Sequence, residues 1–402
     1  MSTTTSTLTP NLARILALCC GMAIASAYYA QPLLPEIGQS LGMPIADMGL
    51  IPMLTQIGVG MGVLLFLPLG DVLDNRKLIV ALLSAHAVAL ALVATASSGA
   101  MLAIASALLG LSTVVPYLLP PMAARLSDDS RRGQVTGLLA SGIFGGILLS
   151  RTVSGYLGYV AGWRSIYWLA IGLTILMAGL LYRRLGSVSG IAPSGQGLRY
   201  PDLLRSLATV FRLEPSLRRA ALTQGLIFGG FNAFWVTLSF HLQSPAFQLP
   251  SYVAGLFGVI GVAGAFAAPL FGRLADHRGP VFAVRMGTAM AAAGWLLFAG
   301  FGYHLAGLIV GVVLLDLGVT ASHVANQTII YRLAPALRSR ISTLYILGAF
   351  TGGALLSRLS TVVYAHTHWL GVSMLGLAVS VTALLVNLMP LTQARAEPCP
   401  AC

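Results

Sequence analysis

Charge is what this chain most lacks. Its 402 residues carry 23 Lys and Arg and 11 Asp and Glu, 8% of the total. An ordinary soluble protein draws on about 25%, so a set of soluble domains is excluded. Lysine is nearly absent, Lys77 being the single one. Cysteine is sparse and gives no disulfide framework: Cys19 and Cys20 fall inside the first apolar run, and Cys399 and Cys402 form a lone C-x-x-C in a Pro-containing tail. Without a second pair that spacing is no metal site. Also missing are a Gly-rich phosphate loop ending in Lys-Ser/Thr, an H-E-x-x-H and paired carboxylates at membrane depth. These absences argue against an enzyme, ATP drive, a cofactor or a bound metal.

What the chain has in plenty is apolar residues, 57% of the total. Apolar runs read 12–37, 47–70, 78–98, 100–124, 134–160 and 165–185, then 217–241, 252–275, 281–302, 304–330, 341–364 and 370–390. Twelve spans of ~22 residues use about 264 positions, which fits the length. The expected class is an all-α integral membrane protein of two six-helix bundles, 1–185 and 217–390, with a linker at 186–216 and a tail at 391–402. In the linker Leu203, Leu204, Leu207, Val210 and Phe211 recur at helical spacing opposite Arg205 and Arg212, which predicts an amphipathic helix on the membrane surface.

The net charge of +12 could suggest nucleic acid, but the cations form no stripe. They stand singly or in pairs at the ends of apolar runs. Counted alternately, 20 fall on one face and Arg164 alone on the other, while Arg151 and Arg358 lie inside spans. That asymmetry places both termini in the cytoplasm. The first run is too long for a signal-peptide core and is expected to be retained as a span.

The chain repeats at half its length. Gly70-Asp71-Val72-Leu73-Asp74-Asn75-Arg76 aligns with Gly272-Arg273-Leu274-Ala275-Asp276-His277-Arg278, and Gly145 to Arg151 aligns with Gly352 to Arg358 at an offset of 207. Six helices per copy is even, so the copies are parallel, related by an axis along the membrane normal. In the loop motif Gly70 and Gly272 let helix ends approach. Asp71, Asp74, Arg76, Asp276 and Arg278 can latch the cytoplasmic ends of the bundles together, beyond setting topology.

Gly70 to Lys77 and Gly272 to Arg278 resemble the loop motif of the major facilitator superfamily in both halves, and span count, repeat and central loop match it over the whole chain. Tyr28 to Pro35, Ser150 to Gly155 and Ala321 to Gln327 resemble stretches of the bacterial twelve-span drug and metabolite exporters. The resemblance implies a secondary transporter of the bacterial inner membrane, working by alternating access as a monomer. Two elements of the drug–proton antiporter pattern are absent. Leu109 to Thr113 holds no arginine, and Gly145-Gly146 lacks the preceding Gly-Pro.

Charges in the hydrocarbon core are costly and mark function by default. Three are expected there: Arg151, Asp316 and Arg358. Thr320, His323 and Gln327 follow Asp316 at i+4, i+7 and i+11, on one helical face. The matching first-half positions are Leu109, Pro116 and Pro120, so the second half is expected to carry the coupling chemistry. Depth puts Arg358 within reach of Asp316, and Asp316 is expected to alternate between an arginine and a proton. The other reading is a static buried pair. His323 is either a proton relay or a packing residue. Arg151 and Arg358 align in the repeat, which favours a structural role over an anion site. By the resemblance, the first, fourth, seventh and tenth spans line the cavity. On or beside them Tyr28, Tyr29, Gln31, Gln56, Tyr117, Gln224, Asn232, Trp235, Asn326 and Gln327 are expected to meet substrate; aromatics with amides suit an amphipathic organic molecule. Glu36 and Asp47 are expected to be merely solvated. The leading expectation is proton-coupled export of small organic molecules, with uptake by symport and a non-transporting sensor as alternatives.

Overall fold

The computed structural model describes residues 8–71, 73–128, 131–185, 200–333 and 337–390, and these hold helices and turns without a strand. Apolar backbone in lipid must satisfy its own hydrogen bonds, and helices do so within each segment. Among the described residues nine helical segments are long and apolar enough to cross a membrane.

The first half comprises α1 (Pro10–Ala25), α2 (Leu34–Leu41), α3 (Ile45–Met48), α4 (Leu50–Phe66), α5 (Asn75–Ala94), α6 (Gly99–Ser112), α7 (Val115–Arg125), α8 (Arg132–Ala161) and α9 (Ser165–Leu185). The second comprises α10 (Tyr200–Leu213), α11 (Pro215–Leu242), α12 (Ser251–Arg278), α13 (Pro280–Phe301), α14 (Leu305–Tyr331) and α15 (Arg338–Leu388). Each apolar run read from the sequence falls on one or two of these. The last two runs share α15, which breaks at His368 (φ 55°, ψ −151°), a left-handed conformation that a side chain strains. Val210 of α10 is buried against Leu217, Ile341 and Tyr345 of the second bundle, and Leu207 is buried as well. The Cys399/Cys402 tail and residues 186–199 lie outside the described residues.

Small residues set the packing within each bundle. A Cβ on Gly142 or Gly146 of α8 would strike the α1 backbone at Ala17 and Gly21, and one on Gly348 or Gly352 of α15 would strike α11 at Ala221 and Gly225. Helices approach this closely only where the residues in contact are small. Close backbone contacts are among those that join the bundles. The backbone at Arg151 packs on Gly255 of α12, and that at Ser357 packs on Gly49 beside α4.

Those contacts correct the repeat register. Gly49 and Gly255 differ by 206, as do Gly146 and Gly352, so Ser357 is the counterpart of Arg151. Arg358 lies one residue, about 100°, further round the helix. The offset of 207 made the two arginines look equivalent; in the fold they are not.

The ends of the bundles differ. At the cation-poor end, one continuous core joins Leu33, Ile51 and Trp163 of the first bundle to Phe234, Trp295 and Trp369 of the second. Towards the cation-rich end, Leu16, Leu118 and Leu181 cluster within the first bundle, whereas Ala275 and Ala325 cluster within the second.

Candidate functional site

Breaks in two spans build the first half of the site. Between α1 and α2 the chain turns through Ser26 to Ala30 and a short 3-10 helix, Gln31–Leu33, because Pro32 and Pro35 supply no backbone N–H. Between α6 and α7 it breaks just before Pro116. His86 of α5 joins the two breaks. Its Nε2 is 3.0 Å from Ser26 Oγ and its Nδ1 is 3.0 Å from Ser112 Oγ, all buried. No local sequence pattern singles out His86, because Ser26 and Ser112 lie 60 and 26 residues away, one at each break. Ser112→Ala would leave a ring nitrogen unpaired, and a loss of about 1–3 kcal/mol in detergent unfolding is expected.

The first break carries Tyr28 and Gln31 to the bundle interface. Gln31 Nε2 and Gln56 Nε2 both donate to Asn232 Oδ1 on α11, at 3.3 and 3.1 Å. Asn232 Nδ2 donates to Phe228 O, which fixes its orientation. Arg151 of α8 is fully buried; its Nε donates to Gln31 Oε1 at 2.8 Å and its Nη1 to Ile147 O at 3.2 Å. The guanidinium carbon lies 4.1 Å from the Trp235 ring centre, 5.1 Å from Tyr28 and 5.4 Å from Phe231. Such a box stabilises a cation that has left water.

Facing this cluster is Asp316 of α14, also buried, with neither carboxylate oxygen bonded to any described residue. Arg151 is its charged neighbour, and Arg151 Nη2 is likewise buried without a partner. Gly261 of α12 makes room for the carboxylate, since a Cβ there would strike Asp316 Oδ2. Gln31, Arg151, Asn232 and Asp316 each lie about ten residues from the cation-poor helix ends, roughly 15 Å at 1.5 Å per residue. That is the middle of a 30 Å hydrocarbon layer. About two turns towards the cation-rich end, Tyr345 donates its hydroxyl proton to Gln224 Oε1 (2.9 Å), so it accepts from His323 Nδ1 (3.1 Å).

A pocketful of buried polar groups between two repeated helical bundles is the arrangement of a carrier. A family model described as Major Facilitator Superfamily matches residues 16–357. The chain belongs to the major facilitator superfamily. It is 37% identical over 380 residues to the uncharacterized transporter YgaY of Escherichia coli O157:H7, covering 94% of this chain and 95% of that one. To a protein named a probable sugar efflux transporter in Helicobacter acinonychis (strain Sheeba) it is 25% identical over 306 residues, 75% of each chain. Its fold matches the nucleoside transporter NupG with a TM-score of 0.78 at 12% identity, over 93% of this chain and 98% of that one.

Within this superfamily transporter, several expected residues come together and others do not. Tyr28, Gln31, Gln56, Asn232, Trp235, Arg151 and Asp316 share the inter-bundle site. Tyr117 sets its ring edge-on to Phe350, on the cation-rich side of that cluster. Tyr29 instead packs edge-on against Tyr167 inside the first bundle, because the turn after Ala25 rotates it away from Tyr28. Asn326 bonds Ser322 on its own helix, and Gln327 is half-buried.

Arg358 does not meet Asp316. Its Nη2 bonds Asp47 Oδ1 at 2.9 Å, and its Nη1 bonds Ala46 O, across the bundles at the cation-poor end. Nearby, Gln243 Nε2 donates to Glu36 Oε1 at 2.9 Å. Glu36 and Asp47 are therefore bridging groups rather than merely solvated ones. Glu36 also lines a cavity of about 490 Å³, together with Tyr159, Gln243 and Gln248.

The described loop residues bond within their own bundles. Asp74 accepts from Arg76 N as the cap of α5, and Arg76 Nε donates to Tyr182 O while stacking on that ring. Arg278 lies over Phe282, Asp276 is exposed, Gly70 abuts Leu118, and a Cβ on Gly272 would meet open space. The Asp71 side chain lies outside the described residues. Among the described residues, side-chain bridges cross the bundles at the cation-poor end, whereas Asp74 and Arg76 bond within the first bundle.

Proposed function

We propose that this transporter exports small organic molecules in exchange for protons, by alternating access. The observation that carries the reading is Asp316, buried at mid-depth with both oxygens unpartnered and with Arg151, whose Nη2 is also unpartnered, as its charged neighbour. An ionised carboxylate left so is costly in a dry site. Two events relieve it: a proton on Asp316, or movement of the bundles that lets Arg151 bond it. Because Arg151 belongs to the first bundle and Asp316 to the second, the proton state of one group favours one arrangement of both. His323, about 10 Å further along α14 towards the cation-rich end at 1.5 Å per residue, would pass the proton on. Trp235, Phe231 and Tyr28 with the amides of Gln31 and Gln56 would hold an amphipathic substrate. The Helicobacter relative's name points the same way for direction.

Sealed proteoliposomes with an internal pH dye and a compound panel outside test this. A lumen that turns alkaline as a compound enters is the expected result, whichever way the protein inserted. An acidified lumen would establish symport and overturn export by exchange. Uptake of a labelled compound with no pH change would remove proton coupling altogether.

A further inference from the structure

A second unneutralised cationic cluster lies at the cation-rich end of the second bundle, remote from Asp316. Arg219 of α11 and Arg285 of α13 stand close enough for their like charges to repel. Nε and Nη2 of Arg219 are buried and have no hydrogen-bond partner. Arg285 Nε donates to Asn387 O near the end of α15 at 2.9 Å. Asn387 Nδ2 in turn donates to Thr223 Oγ1 at 2.8 Å, one turn along α11 from Arg219. This chain of bonds ties the ends of α11, α13 and α15 together into one corner through Arg285, Asn387 and Thr223, with Arg219 one turn from Thr223 beside them.

Nothing among the described residues balances that corner. Neither arginine has a carboxylate in ion-pair range, Glu214 at the start of α11 included. Both lie within two turns of a helix N-terminus, Pro215 and Pro280. The unpaired N–H groups there add positive potential, while the C-terminal carbonyls of α15 draw on Arg285 through Asn387 O and leave Arg219 without a neutralising partner among the described residues. Two guanidinium groups beside two helix N-termini instead match a tetrahedral oxyanion, with forked N–H donors taking paired oxygens.

The surroundings say what carries the oxyanion. Residues three apart share a helix face, and Leu222 beside Arg219 and Phe282 beside Arg285 are exposed apolar side chains. Leu385 and Leu388 flank Asn387 and are exposed as well. The corner thus opens onto a surface that faces acyl chains, not onto the path between the bundles. We infer that it binds the phosphate of an anionic phospholipid, with Arg219 and Arg285 on the phosphate oxygens and the acyl chains along Leu222, Phe282 and Leu385. A basic pocket between helix ends at the cation-rich face is suited to such a headgroup.

Native mass spectrometry of the full chain in detergent, titrated with phosphatidylglycerol, phosphatidylcholine or inorganic phosphate, tests the assignment. The Arg219→Gln/Arg285→Gln variant is expected to hold phosphatidylglycerol on the order of tenfold more weakly than the parent. A charge-matched control, Arg183→Gln/Arg212→Gln at exposed positions, should hold it as the parent does. Tryptophan-fluorescence melting in parallel confirms that each variant is folded, and Arg219→Lys/Arg285→Lys covers the case where the glutamines unfold the corner. Equal loss in the control would mean general surface charge and overturn the site. Arginine-dependent binding of inorganic phosphate as tight as that of the lipid would overturn the lipid assignment.

Discussion

Asp316→Asn is expected to abolish substrate-driven proton movement, lowering coupled flux by roughly 100-fold or more, while the protein stays folded and still exchanges labelled substrate down its gradient. Asparagine has nearly the same shape and cannot change charge. Since neither oxygen of Asp316 is bonded in this arrangement, the substitution removes no hydrogen bond from it. Binding groups on the other side of the site, Gln31, Gln56 and Trp235, are untouched. Asp316→Glu should be intermediate, because Gly261 and Leu148 leave little room for another methylene. His323→Gln should slow proton movement less than Asp316→Asn does, since it interrupts the route without removing the charge that switches. The measurement is the pH-dye assay beside tracer counterflow in the same vesicles. An Asp316→Asn protein that still drives substrate uphill would remove Asp316 from coupling.

Much of the architecture was legible because lipid enforces it. Long apolar runs must become helices, loop arginines accumulate on one face, and the G-x3-D-x-R motif exposes the duplication. The helices that meet at the centre were also legible, since a buried Gln31, Gln56 or Asn232 has to find a partner. What the sequence could not give was rotation. The repeat aligns Arg151 with Arg358, yet glycine contacts set the register one residue off, and that turn sends one arginine to the centre and the other to Asp47. The same limit hid Tyr29, which differs from Tyr28 by one residue and points into its own bundle. His86 was hidden for another reason. Its partners are 60 and 26 residues away, and no local pattern joins them.

That single-residue rotation makes Arg151 the group on which the second large effect is expected. Arg151→Met should destabilise the protein by about 3–5 kcal/mol, as removal of one member of a buried charged pair does. It would remove the donor to Gln31 and empty the ring box of Trp235, Phe231 and Tyr28 of its cation. It would also leave Asp316 without its neighbouring positive charge. If the two charges sense one another across the bundles, the double variant Arg151→Met/Asp316→Leu should recover part of that loss, with a coupling of roughly 0.5–3 kcal/mol. Unfolding in mixed micelles, followed by tryptophan fluorescence on both single variants and the double, measures it. Additive losses would mean that Arg151 and Asp316 act separately, and the switch would lose its partner. Transport distinguishes the remaining two readings. A static pair that only holds helix register should regain transport along with stability in the double variant, because an apolar pair can hold the same register. A coupling pair should regain stability and stay inactive, because nothing in the site could then take up a proton at mid-depth.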